Sequence, residues 1–133
     1  MKIGKVEAYI HDIIEKDGVV FFGLIDPLEK KPLEYAKAFD EAEADVILIG
    51  GSIGAEGELL NDVVKRIKES VSKPVMLFPG NIGGVSKYAD ALYFMSLLNS
   101  KNPYWITGAP VSYTHLRAHE TSLHLVCRLL LEK

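Results

Sequence analysis

Residues 46–51 read Val46-Ile47-Leu48-Ile49-Gly50-Gly51: four apolar residues in a row, closed by two glycines. A run that is apolar throughout belongs to a strand covered on both faces, as in a parallel sheet flanked by helices. The pattern recurs on either side. Upstream, Val19 to Ile25 (VVFFGLI) is a short apolar run; downstream, Pro74 to Phe78 (PVMLF) closes on Pro79-Gly80, and Ala91 to Ser96 (ALYFMS) follows. Helical patterns fill the gaps. Val6, Tyr9, Ile10, Ile13 and Ile14 fall at helical spacing until Asp17-Gly18. Pro32 opens a helix with Tyr35, Phe39 and Ala42 on one face, and Leu60, Val63, Val64, Ile67 and Val71 mark the next. Pro103 onward begins another helical stretch.

Strand–helix alternation at this spacing predicts βαβ units and an α/β fold with about four parallel strands. A doubly wound open sheet and a (β/α)8 barrel both fit. A barrel takes about 250 residues, and the chain has 133, so four strands make half of one and length alone favours the open sheet.

Composition narrows the function. With 15 basic and 18 acidic residues the net charge is −3, and 48% of residues are hydrophobic, the balance of an ordinary globular protein. The acidity argues against a nucleic-acid partner. No apolar run reaches the roughly 18 residues of a membrane helix, and residues 1–7 lack a signal-peptide core. The single cysteine, Cys127, has no internal disulfide partner, so a cytoplasmic location is expected.

In both candidate folds chemistry gathers just past the carboxyl ends of the strands. Asp26 is the one carboxylate at such an end; it suits Mg2+, which prefers oxygen ligands, and it equally suits an Asx turn before Pro27. Ser52 follows Gly50-Gly51, where the backbone admits a phosphate and the hydroxyl completes a metal shell, or where serine simply caps a helix. The loop is neither a P-loop nor a dinucleotide fingerprint. Pro79-Gly80-Asn81 either donates backbone N–H groups to an anion or turns the chain. Tyr93, Phe94, Tyr104 and Trp105 line an apolar channel or belong to the core.

The strings LIDP (24–27), ILIGGS (47–52), LFPGN (77–81) and FMSLLNSKNPYWITGA (94–109) stand in this order. Together they resemble geranylgeranylglyceryl phosphate synthase, the archaeal lipid prenyltransferase, whose bacterial relative is heptaprenylglyceryl phosphate synthase. LIDP and GGS are closer to the archaeal group. The resemblance implies a modified TIM barrel, of which residues 1–109 would be the N-terminal half. It implies Mg2+-dependent transfer of a geranylgeranyl group from its diphosphate to the C3 hydroxyl of sn-glycerol 1-phosphate, with release of pyrophosphate. Asp26 and Ser52 would be the metal positions, and Gly51, Gly80 and Asn81 would meet the diphosphate. Tyr93 and Trp105 would border the prenyl channel. The glycerol-phosphate site, carried on later strands, is absent from this sequence. Family members are usually homo-oligomers, and a greasy product implies access to a membrane surface. The competing reading is a small open-sheet phosphate- or nucleotide-binding module without catalysis.

The chain changes character near Pro110. All 11 glycines and all six prolines lie at or before it, and three of the four histidines and the cysteine lie after it. VSYTHLRAHET (111–121) resembles a translated transposase-type sequencing adapter, and LVCRLLLEK (125–133) resembles the flow-cell adapter that follows. Residues 110–133 are therefore expected to be a non-native tail outside the fold, and the 133-residue chain an inactive fragment of an enzyme.

Overall fold

A computed structural model describes residues 4–50, 54–93, 101–109, 111–112 and 124–126. The elements run α1 (Lys5–Asp17), β1 (Phe22–Ile25), α2 (Pro32–Glu41), β2 (Val46–Gly50), α3 (Gly57–Ser70), β3 (Val75–Phe78) and β4 (Ala91–Tyr93), then a single π-helical segment (Tyr104–Gly108) and β5 (His124–Val126). Helix α1 ends where Gly18 takes a left-handed φ of 75° and returns its N–H to the Ile14 carbonyl, a termination that favours glycine.

The strands form one sheet in the order β1-β2-β3-β4-β5, every pair parallel. This order separates the two candidate folds. A doubly wound sheet reverses direction at a switch point. Here each strand is laid beside the last without reversal, and right-handed crossovers then put the connecting helices on one face. That is the winding of a barrel, and the chain forms part of one.

Side chains divide between the faces with period two. Ile25, Ile47, Ile49, Val75, Leu77 and Leu92 point toward α2 and α3 and form the main core with Ala36, Leu60, Val64 and Ile67. Ala109, after the π-helical segment, joins the same cluster. Val46, Leu48, Met76 and Ala91 face the other way, where α1 covers them with Val6 and Ile10. Helix α1 is held there by Tyr9, whose hydroxyl donates to the Asp45 carbonyl at 3.4 Å.

Some sequence expectations shift. Strand β1 begins at Phe22 rather than Val19, which is 70% exposed. On α2 the inward stripe is Leu33, Ala36 and Phe39 rather than Tyr35, Phe39 and Ala42. The methyl of Ala36 lets the helix pack closely on the sheet, and Phe39 lies over Gly23, where a Cβ would come within 2.5 Å of its ring. Strands β1 to β4 are the four parallel strands that the sequence predicts. A further strand, His124–Val126, comes from the residues read as a tail, and pairs Ala91 with His124, Leu92 with Leu125 and Tyr93 with Val126. The unpaired N–H and C=O groups along β4 are a template for any extended apolar segment nearby, and Leu125-Val126 supplies one.

Candidate active site at the strand ends

Beyond the reach of α1, the carboxyl-terminal end of the inner face lies open. Leu24 is 50% exposed and Phe78 45% exposed, although both belong to strands. Phe78 meets Tyr93 edge to face at 5.5 Å, and Tyr93 touches Phe22 at 6.3 Å. Burial of its ring raises the Tyr93 pKa above the usual value of 10.0, because desolvation disfavours the phenolate. Phe78 and Tyr93 therefore make an apolar wall, with Leu24 on the same face of the sheet and Tyr93 where the sequence reading puts channel or core.

Next to this wall a cavity of about 430 Å³ opens at the ends of β1 and β2, lined by Leu24, Ile25, Asp26, Glu29, Tyr35, Phe39 and Gly50. Tyr35, expected in the helix core, faces this cavity. Asp26 is the first residue past β1, so the strand register aims it at the rim. Its Oδ1 accepts the Leu28 N–H at 2.9 Å, and its carbonyl accepts the Glu29 N–H at 3.1 Å. The Asx turn is thus present, and it holds the carboxylate at the cavity edge rather than competing with a site there.

Gly50 admits no other residue. Its φ is +149°, and a Cβ would lie 1.9 Å from the Phe78 carbonyl oxygen. The backbones of β2 and β3 therefore come into direct contact where the chain leaves toward Gly51 and Ser52. Those two residues lie outside the described residues.

The loop after β3 is built on Asn81. Its Oδ1 accepts the Gly84 N–H at 3.0 Å, and its carbonyl accepts the same N–H at 3.2 Å. Its Nδ2 donates to Glu56 Oε1 at 2.6 Å. Gly80 lies just ahead of this turn, half-buried, without a left-handed φ. Glu56 escapes a reading of the sequence, where it is only an acidic residue ahead of a helix. Gly83 is the signal that bears on it: its φ lies outside the left-handed region, but a Cβ there would meet the Glu56 carboxyl carbon at 2.5 Å. Trp105 falls in the π-helical segment, with its side chain outside the described set, and Phe94 is outside it altogether.

Among the described residues no three His, Cys, Asp or Glu side chains group as metal ligands, and no helix is long and apolar enough to cross a membrane. Asp26 nevertheless fits Mg2+, which is commonly held by one or two carboxylates, with waters and substrate phosphates completing the shell.

Comparison with known proteins gives the same family as the strand-end loops. The chain is 59% identical over 112 residues to geranylgeranylglyceryl phosphate synthase of Pyrococcus furiosus, covering 82% of this chain and 44% of that protein. It is 58% identical over 107 residues to the synthase of Methanosphaera stadtmanae, 78% of this chain and 43% of that protein. The chain thus spans less than half the length of these curated relatives. Among solved structures, wild-type GGGPS from Thermoplasma volcanium superposes with a TM-score of 0.77 at 33% identity, over 89% of this chain and 49% of that one. The Thermoplasma acidophilum enzyme, solved with its substrate sn-glycerol-1-phosphate, gives 0.76 at 28% identity, over 93% and 53%. Both are barrel enzymes, and this chain matches about half of each. The PcrB family model matches residues 11–128, a span that reaches into the tail. With a match of that extent and curated relatives this similar, the chain belongs to the PcrB family.

Proposed function

We propose that this chain carries the metal- and diphosphate-binding half of a Mg2+-dependent prenyltransferase. The enzyme would transfer a geranylgeranyl group from its diphosphate to the C3 hydroxyl of sn-glycerol 1-phosphate. The observation that carries the reading is the placement of Asp26: a carboxylate fixed by its own turn at the carboxyl end of β1, lining the strand-end cavity beside the apolar Leu24. That juxtaposition suits a substrate with a charged head and a long apolar tail. The names of the relatives, and sn-glycerol-1-phosphate in the Thermoplasma acidophilum complex, support the same substrates.

In the reaction the C3 oxygen bonds to C1 of the prenyl chain, the bond from C1 to the diphosphate oxygen breaks, and the hydroxyl proton leaves to solvent. Mg2+, when bound, would neutralise charge developing on the departing pyrophosphate. Asp26 would hold that ion, with Ser52 from the loop after β2. Gly51, Gly80 and Asn81 would meet the diphosphate. Leu24, Phe78 and Tyr93 exclude water from the allylic carbon and receive the first isoprene units. The glycerol-phosphate site would lie on further strands of the barrel, and the 133 residues alone would not turn over. Oligomer formation, a cytoplasmic location and contact with membranes through the product belong to the same proposal.

The test begins with the source DNA, read past codon 109. A frame that continues through further βα units gives a full-length enzyme to assay with labelled geranylgeranyl diphosphate and sn-glycerol 1-phosphate. Expected are Mg2+-dependent transfer, its loss with chelator, and a fall of at least about 100-fold in Asp26→Asn. Full activity in Asp26→Asn overturns the assignment. A genome that encodes VSYTHLRAHET in place overturns the adapter reading of the tail.

A further inference from the structure

Glu56 precedes the first residue of α3, the position from which a side chain usually caps a helix. It makes no capping hydrogen bond. Its carboxylate instead crosses from the loop after β2 to the loop after β3 and accepts the Asn81 Nδ2–H at 2.6 Å. The other end of the same amide closes the 81–84 turn through the Gly84 N–H. Gly83 leaves the room that the crossing carboxylate fills. A charged side chain that forgoes its local helix to span two loops gains a charge-assisted bond that orders both.

We propose that Glu56 is a positioning residue. It fixes the Asn81 amide and so holds the loop bearing Gly80 and Asn81 against the start of α3, where a diphosphate is received. The inference rests on the reading of these loops as a diphosphate site. Glu56 itself does not touch the ligand; its negative charge opposes an anion, and the latch outweighs that cost by ordering the donors around it.

The probe is Mg2+ with inorganic pyrophosphate, titrated calorimetrically into the chain. Glu56→Ala should weaken binding about tenfold, the size of effect seen when an orienting partner is lost. Glu56→Gln keeps an acceptor for Asn81 and removes the repulsion, so it should bind as the unaltered chain does or tighter. Gly83→Ala would push the carboxylate aside, which a flexible side chain allows without unfolding, and should reproduce the loss. The double variant Glu56→Ala/Gly83→Ala should lose no more than either single one, because both break the same contact. If Glu56 acted through charge alone, Ala and Gln would both tighten binding. That result overturns the proposal, and so does unchanged binding in Glu56→Ala.

Asp26→Asn separates this proposal from the one it rests on. Loss of binding in Asp26→Asn with none in Glu56→Ala removes the latch and leaves the site standing. A chain that binds no pyrophosphate in Mg2+ removes the diphosphate reading and the positioning role together. Hydrogen exchange at the Gly84 amide reads the latch directly: faster exchange in Glu56→Ala supports it, and unchanged exchange overturns it.

Discussion

Replacing Gly50 by alanine should unfold the chain by a mechanism that can be sized from the backbone. The new methyl would lie 1.9 Å from the Phe78 carbonyl oxygen and 2.5 Å from its carbon, inside the 3.0 Å that Cβ contacts essentially never breach. Both atoms are main chain, so no rotamer relieves the overlap. The strands must part by more than about 1 Å at the Gly50–Phe78 rung, which breaks a ladder hydrogen bond worth roughly 1 kcal/mol. The φ of +149° adds about 1–3 kcal/mol of backbone strain for a residue with a side chain. The total, about 2–4 kcal/mol, is a large part of the 5–15 kcal/mol typical of a folded domain. With a urea slope of roughly 1–3 kcal/mol per molar, the midpoint followed by circular dichroism should fall by about 1–2 M, or the protein should already be unfolded in buffer. Gly54→Ala is the control. Its φ is +120°, but a Cβ there meets only Leu28 Cδ1 at 3.7 Å, so strain acts without overlap and the shift should be clearly smaller. A Gly50→Ala midpoint within about 0.5 M of the unaltered chain, or one no lower than that of Gly54→Ala, would refute the steric account.

Asp90 ties β3 to α3: its Oδ2 accepts the Val75 N–H at 2.9 Å, and its Oδ1 pairs with Lys68. Asp90→Ala leaves that N–H without its acceptor beside a fully buried side chain and should cost about 2 kcal/mol. Asp90→Asn keeps an acceptor and should cost under about 1 kcal/mol, so equal losses by denaturation would contradict the assignment. Tyr93 gives a pH signature. Its folded-state pKa is raised by burial, so its stabilising contribution is complete below the unfolded value of about 10 and fades as pH rises through the folded value. Tyr93→Phe should therefore flatten the alkaline stability profile; a slope unchanged above pH 10 would count against it. Strand β1 pairs only with β2 among the described residues, and Phe21 and Leu24 are about half exposed, so the chain should self-associate along that edge. Light scattering should show a dimer or larger. A monomer with a cooperative thermal transition rejects this.

The parts of the fold that show in the sequence are those governed by local pattern. VILI and PVMLF are strands because residues apolar on both faces have nowhere else to go, and Gly18 ends α1 because a left-handed residue was needed there. Strand order is not a local property. Length pointed to an open sheet, and only the unreversed pairing of β1 to β4, with the resemblance of the loop strings, decides for a barrel. On α2, Tyr35 is apolar enough to mimic a core residue in the sequence, yet lies by the cavity. At the site, Asp26 was legible because a lone carboxylate at a strand end is conspicuous. The crossing of Glu56 to Asn81 was not, since 25 positions separate the two residues and nothing local links them.

The unreversed strand order also bears on how the chain comes off the ribosome. The starts of β1 and β2 lie 24 positions apart and those of β2 and β3 29 apart, an interval of roughly one to six seconds at 5–20 residues per second. Each strand therefore emerges to find its partner already waiting at the growing edge, and no earlier pair has to be opened to admit it. Helix α1 is the exception. Made before the strands, it packs against Val46, Leu48, Met76 and Ala91, residues of three strands yet to be synthesised, so its docking cannot be complete until β4 has formed. Synthesis order and docking order run together along the sheet and part company only at the N-terminus.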